Sequence, residues 1–139
     1  MTDLIVRPLE RHEYPLIEKV SLAPEQTLFL PERLVETKRA QVWGLWKGER
    51  LIGFVEVVGT PPLLWIARVG VDIAYQGLGY GVFLLRSVIE RLRLRTRITE
   101  IRAAIHPDNQ GAQHVFVKVG FQPMPSAGDP EVVFRLSLR

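Results

Sequence analysis

Six residues, Gln76-Gly77-Leu78-Gly79-Tyr80-Gly81, carry the strongest chemical signal in this sequence. They stand just before an apolar stretch in which Val82, Leu85, Val88, Ile89 and Leu92 follow helical spacing. The first four amides of a helix have no intrahelical acceptor, and the helix dipole places partial positive charge at that end. Glycines at 77, 79 and 81 remove the Cβ atoms that would hold an anion away from those amides. A phosphate or pyrophosphate is the natural occupant. Two familiar phosphate loops fit poorly. A P-loop ends in Gly-Lys-Ser/Thr, whereas Gly81 is followed by Val82 and Phe83. The dinucleotide fingerprint asks for glycine where Val82 stands, and for an acid that closes a strand about 20 residues on. Glu100 is at that distance but opens a strand. Taken alone, the loop reads equally as a plain glycine-rich turn.

Composition narrows the chemistry. The chain has 139 residues, 47% hydrophobic and 24% charged, which suits one globular core and excludes a disordered or fibrous chain. Residues 1–139 therefore read as a single domain. There is no cysteine, so thiolate metal sites and a cysteine nucleophile are excluded, and a cytoplasmic location fits. No apolar run approaches the roughly 18–20 residues that span a bilayer. Met1-Thr2-Asp3-Leu4-Ile5-Val6-Arg7 does not read as a signal peptide. The net charge of +3 permits an anionic ligand without demanding nucleic acid. The basic run from Arg91 to Arg97 lacks interleaved aromatics, and cations suit a helix C-terminus. His12 and His114 show no metal-ligand spacing.

The loop must be positioned by its neighbours. Leu4-Ile5-Val6 reads as a first strand ending at Arg7-Pro8, and residues 11–20 have a weak helical pattern. A further helix is expected from Pro31 to about Ala40, with Leu34 and Val35 inward. Gln41–Trp46 and Leu51–Val58 read as a hairpin about Lys47-Gly48-Glu49-Arg50. Leu63–Ile73 is a third extended run, with Gly70 marking a bulge or a close backbone approach. Glu100–His106 is another strand. A helix capped by Asp108 or Asn109 follows, with Ala112, Val115, Phe116 and Val119 on one face and Gly120 as its stop. Phe121–Met124 and Val132–Leu138 are closing strands. The order predicts a mixed α/β sheet centred on strand, glycine loop, helix, strand. Trp43, Trp46 and Trp65 are candidates for an acceptor pocket, though large strand aromatics are more often core.

Two blocks together resemble the GNAT superfamily of N-acetyltransferases. The run from Val71 to Gly81 is similar to its acyl-CoA signature, Arg/Gln-x-x-Gly-x-Gly/Ala after a strand, with Gln76, Gly79 and Gly81 in place. The second block is Asn109-x-x-Ala112-x-x-x-Phe116-x-x-x-Gly120-Phe121, and Ile5-Val6-Arg7-Pro8-Leu9 resembles the family's opening strand. The resemblance implies a single-domain, mostly antiparallel mixed sheet flanked by helices, with a splayed central strand pair. It implies acetyl-CoA as cofactor and direct transfer of its acetyl group to a primary amine. The amides of Gln76, Gly77, Leu78, Gly79, Tyr80 and Gly81 would hold the pyrophosphate. Val69, Gly70 and Val71 would pair with the pantetheine arm, and Gly70 would be the bulge that opens the cleft. The Val71 amide would donate to the thioester oxygen, and Asn109 and Phe116 would touch the cofactor. Arg86 or Lys118 would reach an adenosine phosphate. The acceptor, a small molecule or peptide amine, is to be read from Arg11–Ala40. Look-alikes are frequently homodimers.

The chain departs from the family at two places. Phe116 stands where many members carry a tyrosine that protonates the departing thiolate. The strand Leu63–Val71 has no glutamate to act as base, and Arg68 is its one charged residue. Glu56 on the neighbouring strand is the substitute candidate, against the plainer reading of a solvated strand glutamate. His106 is a possible relay or a simple strand end. These departures keep a rival in view: a domain that binds or senses acyl-CoA without turning it over.

Overall fold

The computed structural model describes residues 3–22, 40–125 and 131–139. Seven strands form one sheet: β1 (Leu4–Pro8), β2 (Ala40–Lys47), β3 (Arg50–Thr60), β4 (Leu63–Val71), β5 (Glu100–Ile105), β6 (Gln122–Pro123) and β7 (Val132–Ser137), in the order β1-β2-β3-β4-β5-β7-β6. Every neighbouring pair is antiparallel except β4–β5. This is the mixed, mostly antiparallel sheet expected. The helix expected from Pro31 to Ala40 lies outside the described residues.

Each face of the sheet has its own cover. Helix α1 (Tyr80–Arg93) buries Leu84, Leu85, Val88, Ile89 and Leu92, a stripe at helical spacing. It packs on Leu45, Ile52, Val55, Leu64, Ile66 and Ile101 together with Phe116 of helix α2 (Gln110–Val119). Gly120, at φ 114°, ends α2 in the left-handed conformation that favours glycine. The opposite face carries a 3-10 helix, Arg11–Lys19, where the sequence pattern suggested an ordinary helix. Pro15 lies inside it and supplies no amide for a helical bond. Tyr14, Leu16 and Ile17 pack there on Val42, Trp46, Leu51 and Phe54. Trp43 and Trp46 are buried core residues. The basic run is spent locally: Arg91 donates to Val6 O, Arg93 to Leu138 O and Arg95 to Gln41 Oε1.

The parting of β4 from β5 sets the site. The two strands pair from Leu63↔Glu100 to Ile66↔Ala103, and the pairing stops there. On the other edge of β4, Glu56 faces Arg68 while Val57 faces Ile66, so Ala67 is an inserted residue. Such a bulge bends its strand and increases its twist, and here it coincides with the parting. The bulge is thus at Ala67, not at Gly70 as the sequence suggested. Gly70 keeps its register opposite Phe54. It is glycine because a Cβ there would stand 2.6 Å from Leu22 Cδ2 and 3.0 Å from Phe54 Cε1.

The 3-10 helix is moored by charge. Arg7 donates to Glu13 through both Nη atoms at 2.8 Å, and the Glu10 amide donates to Glu13 Oε1 at 2.9 Å. The Arg7 bonds, then the Glu10 amide, hold the Glu13 carboxyl down at about 2 from an ordinary 4.5. A carboxyl depressed on folding stabilises the native state above its unfolded pKa and loses that contribution as pH falls through the folded value. The Glu13 contribution is therefore present above about pH 4.5 and lost as pH falls toward 2. Carboxyl NMR should show Glu13 titrating well below the other glutamates, and Glu13→Gln should flatten the acid limb of the stability profile. An ordinary titration near 4.5 would refute the mooring.

Candidate active site

The loop between β4 and α1, the expected anion cradle, presents bare backbone. Gly77 and Gly79 take φ of 76° and 80°, and a Cβ at either would meet nothing within 4 Å, so both face open space. Gly79 is the N-cap of α1, and Phe83 N closes the first helical bond on Gly79 O at 3.1 Å. The amides of Tyr80, Gly81 and Val82 consequently have no acceptor within the helix. Gln76 is turned the other way, its side-chain amide donating to Val71 O at 3.1 Å and pinning the loop to the strand end. Tyr75 stacks on Tyr80 at 6.0 Å, and Lys47 and Arg50 stand over the Tyr75 ring.

A cavity of about 510 Å³ runs from this cradle into the gap between β4 and β5. Its volume suits an elongated organic ligand. Val69, Val71, Gln76, Gly77, Gly79, Tyr80, Gly81, Asn109 and Phe116 all line it. Three expected residues do not. Gly70 faces Leu22 and Phe54 on the opposite side of the sheet. The Leu78 side chain projects into solvent. Glu56 is held away by an ion pair, Arg68 Nε donating to Glu56 Oε1 at 3.0 Å.

Backbone direction can be read on β4. Asp72 N donates to Ile52 O on β3 at 2.7 Å. Successive amides of an extended strand point to opposite edges. The Val71 amide, and with it that of Val69, therefore points toward the edge β5 has left. Asn109 caps α2, its Oδ1 accepting from Ala112 N at 3.0 Å. Phe116 is only 4% exposed and meets Phe121 edge to face at 4.9 Å.

Several lining residues were not singled out from sequence. Ala103, Ala104 and Ile105 form the β5 wall, which the parting itself implies. Arg68 and His114 also face the cavity, and so does Lys118, which the resemblance offers for an adenosine phosphate and whose carbonyl accepts from Arg86 Nη2 at 3.2 Å. Arg86 itself lies outside the wall. The three tryptophans line none of it. Among the described residues no cluster of histidine and acidic side chains is placed to hold a metal. No described helix is long and apolar enough to cross a membrane.

Comparison with known proteins gives the same picture. Residues 5–121 match the Acetyltransferase (GNAT) family. No curated protein matches by sequence. Among solved structures, the ribosomal-protein-S18-alanine N-acetyltransferase of Escherichia coli superposes with a TM-score of 0.76 at 18% identity, covering 97% of this chain and 94% of that one. The PaiA N-acetyltransferase of Thermoplasma acidophilum, solved with coenzyme A, gives 0.77 at 16% identity over 98% and 99%. The spermidine N-acetyltransferase of Vibrio cholerae, solved with CoA and spermine, gives 0.72 at 15% identity over 97% and 95%. At these identities the likeness is one of fold.

Asp72 fixes where the cradle begins. It is 3% exposed, its Oδ1 accepts from Ala74 N at 3.0 Å and its Oδ2 from Ser21 N at 3.2 Å, with Arg50 Nη2 at 3.8 Å. Ile73 N returns a bond to Ser21 O at 2.7 Å. The stretch after the 3-10 helix and the entry to the loop are thus tied in both directions. Asp72→Ala removes a charged acceptor from two part-buried amide hydrogen bonds and should cost about 1–3 kcal/mol in urea unfolding. Asp72→Asn, which keeps an acceptor, should cost less. Parental stability in the alanine variant would show that the tie carries no weight.

Proposed function

The chain belongs to the GNAT acetyltransferase family, and from that membership we propose that it transfers the acetyl group of acetyl-CoA directly to a primary amine. The observation that carries the reading is the cavity itself, continuous from the open glycines to the parted strands. The amides of the 76–81 loop take the pyrophosphate, and the helix dipole favours its charge. The edge of β4 at Val69 and Val71 takes the pantetheine arm as a partial strand, and Ala103 to Ile105 form the facing wall. Bound there, acetyl-CoA supplies an acyl thioester. The Val71 amide, aimed into the gap, is our donor to the thioester oxygen, a role in which one preset hydrogen bond counts because water is excluded.

An acceptor amine with a pKa near 10 is mostly protonated at neutral pH, so a proton must leave before attack. Glu56 is our candidate for that proton. One of its oxygens is bound by Arg68, a residue of the cavity wall, so its carboxylate stands one side chain from the acyl end. The amine then forms the N–C bond as the C–S bond breaks, and its proton leaves through Glu56 or a water between them.

Phe116 supplies no proton to the sulfur. A thiol pKa is about 8.5, so the thiolate departs near neutral pH without one. General-acid help is worth about 10²–10⁴-fold, a gain the remaining effects can forgo. Phe116 also supports a second reading, an acyl-CoA-binding domain without turnover. Tight acetyl-CoA binding with no thiol release across a broad amine panel would select it.

Two experiments test the scheme. Gly79→Val places a branched side chain at the mouth of the cradle on a backbone with positive φ. It should weaken coenzyme A binding at least about tenfold in calorimetry, the loss of one charge-assisted contact. Unchanged affinity would remove the cradle from the site. Glu56→Gln should lower kcat by about 10²-fold and erase the acidic limb of its pH profile. An unaltered rate and profile would dismiss Glu56.

A further inference from the structure

Arg68 occupies a position the scheme above leaves without a purpose. It is the first residue after the bulge, where β4 has already left β5. Residues directly opposite on paired strands share a face, so Arg68 lies with Glu56, and Gly70 with Phe54, on the side covered by the 3-10 helix. Val69 and Val71 lie on the other side, toward α1 and the cradle. Arg68 nevertheless lines the cavity. It therefore stands where the gap opens onto the face opposite the cradle, the side from which a second substrate must approach an acyl group threaded between the strands.

Its guanidinium is held in place before any ligand arrives. Nε donates to Glu56 Oε1 at 3.0 Å, and the planar group lies over the Phe54 ring at 5.4 Å. Its two Nη groups make no other hydrogen bond among the described residues. A fixed planar fork of this kind matches a carboxylate. The charge of the wall points the same way. Its ionisable side chains are Arg68, Lys118, His114 and two tyrosines, and none of the described lining residues is acidic. Among the described residues, the carboxylate nearest Arg68 is Glu56, already engaged by it.

We propose that the acceptor amine belongs to a molecule that also carries a carboxylate, and that Arg68 binds that carboxylate through its Nη edge. The assignment rests on the transferase reading and narrows its substrate class to amino acids, short peptides and similar amino-carboxylates. Glu56 then has two duties, anchoring Arg68 and receiving the amine proton.

Acetyl transfer should be measured to glycine, aspartate and a tripeptide, each against its C-terminal carboxamide, with spermidine alongside. The acids should exceed their amides in kcat/KM by about 10–100-fold, the worth of a hydrogen-bonded charge. Arg68→Gln should bring that ratio to about twofold or less, and Arg68→Lys should restore part of it, because a point charge replaces the fork. Arg68 is half exposed, so neither variant threatens the core. Equal rates for acids and amides, or spermidine as the best acceptor, would overturn the carboxylate assignment and leave the transferase standing. A loss in Arg68→Gln that is the same for acids and amides would also overturn it. No transfer to any amine while acetyl-CoA binds would overturn the transferase reading and this inference with it.

Discussion

One broken strand pairing governs this molecule. β4 and β5 run parallel for four residue pairs and then separate, and the separation coincides with Ala67, inserted opposite the Glu56–Val57 step of β3. Beyond Ile66↔Ala103 the two strands no longer pair, and their edges bound the cavity. Buried backbone groups need partners. In the proposed scheme an extended, polar ligand runs along those edges. The cavity lies where the pairing stops.

The two ends of the gap are prepared differently. At the cradle end the charge is carried by backbone amides, helped by the α1 dipole, and the side chains are glycine. A diphosphate needs many short contacts, and bare amides supply them without side-chain entropy. At the other end the sheet presents a single guanidinium, fixed by Glu56 and Phe54. In the proposed scheme one end holds the common diphosphate and the other chooses among amines. Asp72 and Ser21 join the two, since the buried carboxylate ties the stretch after the 3-10 helix to the entry of the glycine loop.

Local features were legible in the sequence and relational ones were not. The glycine loop, α1 and the α2 cap, narrowed to Asp108 or Asn109, could be placed because each is specified within a few residues: glycines before an apolar stripe, and a capping side chain three residues from its amide, which the structure gives to Asn109. The strands of the hairpin were placed for the same reason. The bulge was misplaced by three residues, because a bulge is a mismatch between two strands. Gly70 carries the composition of a bulge, yet its lack of a side chain serves Leu22 and Phe54. Ala67 gives no signal of its own. Arg68 was visible as the only charge on its strand, but its significance depends on which way the strand faces after the inserted residue. Glu56 was named as a base by elimination, and its bond to Arg68 could not be inferred without the β3–β4 register.

That register also bears on how a site can lose a family tyrosine and remain coherent. Phe116 sits on α2, on the cradle side of the sheet, packed against Phe121 and nearly sealed from solvent. A hydroxyl there would require a partner in an otherwise apolar corner, and an unsatisfied one is costly. The Glu56–Arg68 pair lies on the opposite side of the sheet, with Phe54 and the 3-10 helix. In the proposed scheme proton handling therefore falls on the acceptor, where the barrier from a protonated amine is large, and not on the sulfur, whose thiolate is already a tolerable leaving group near neutral pH.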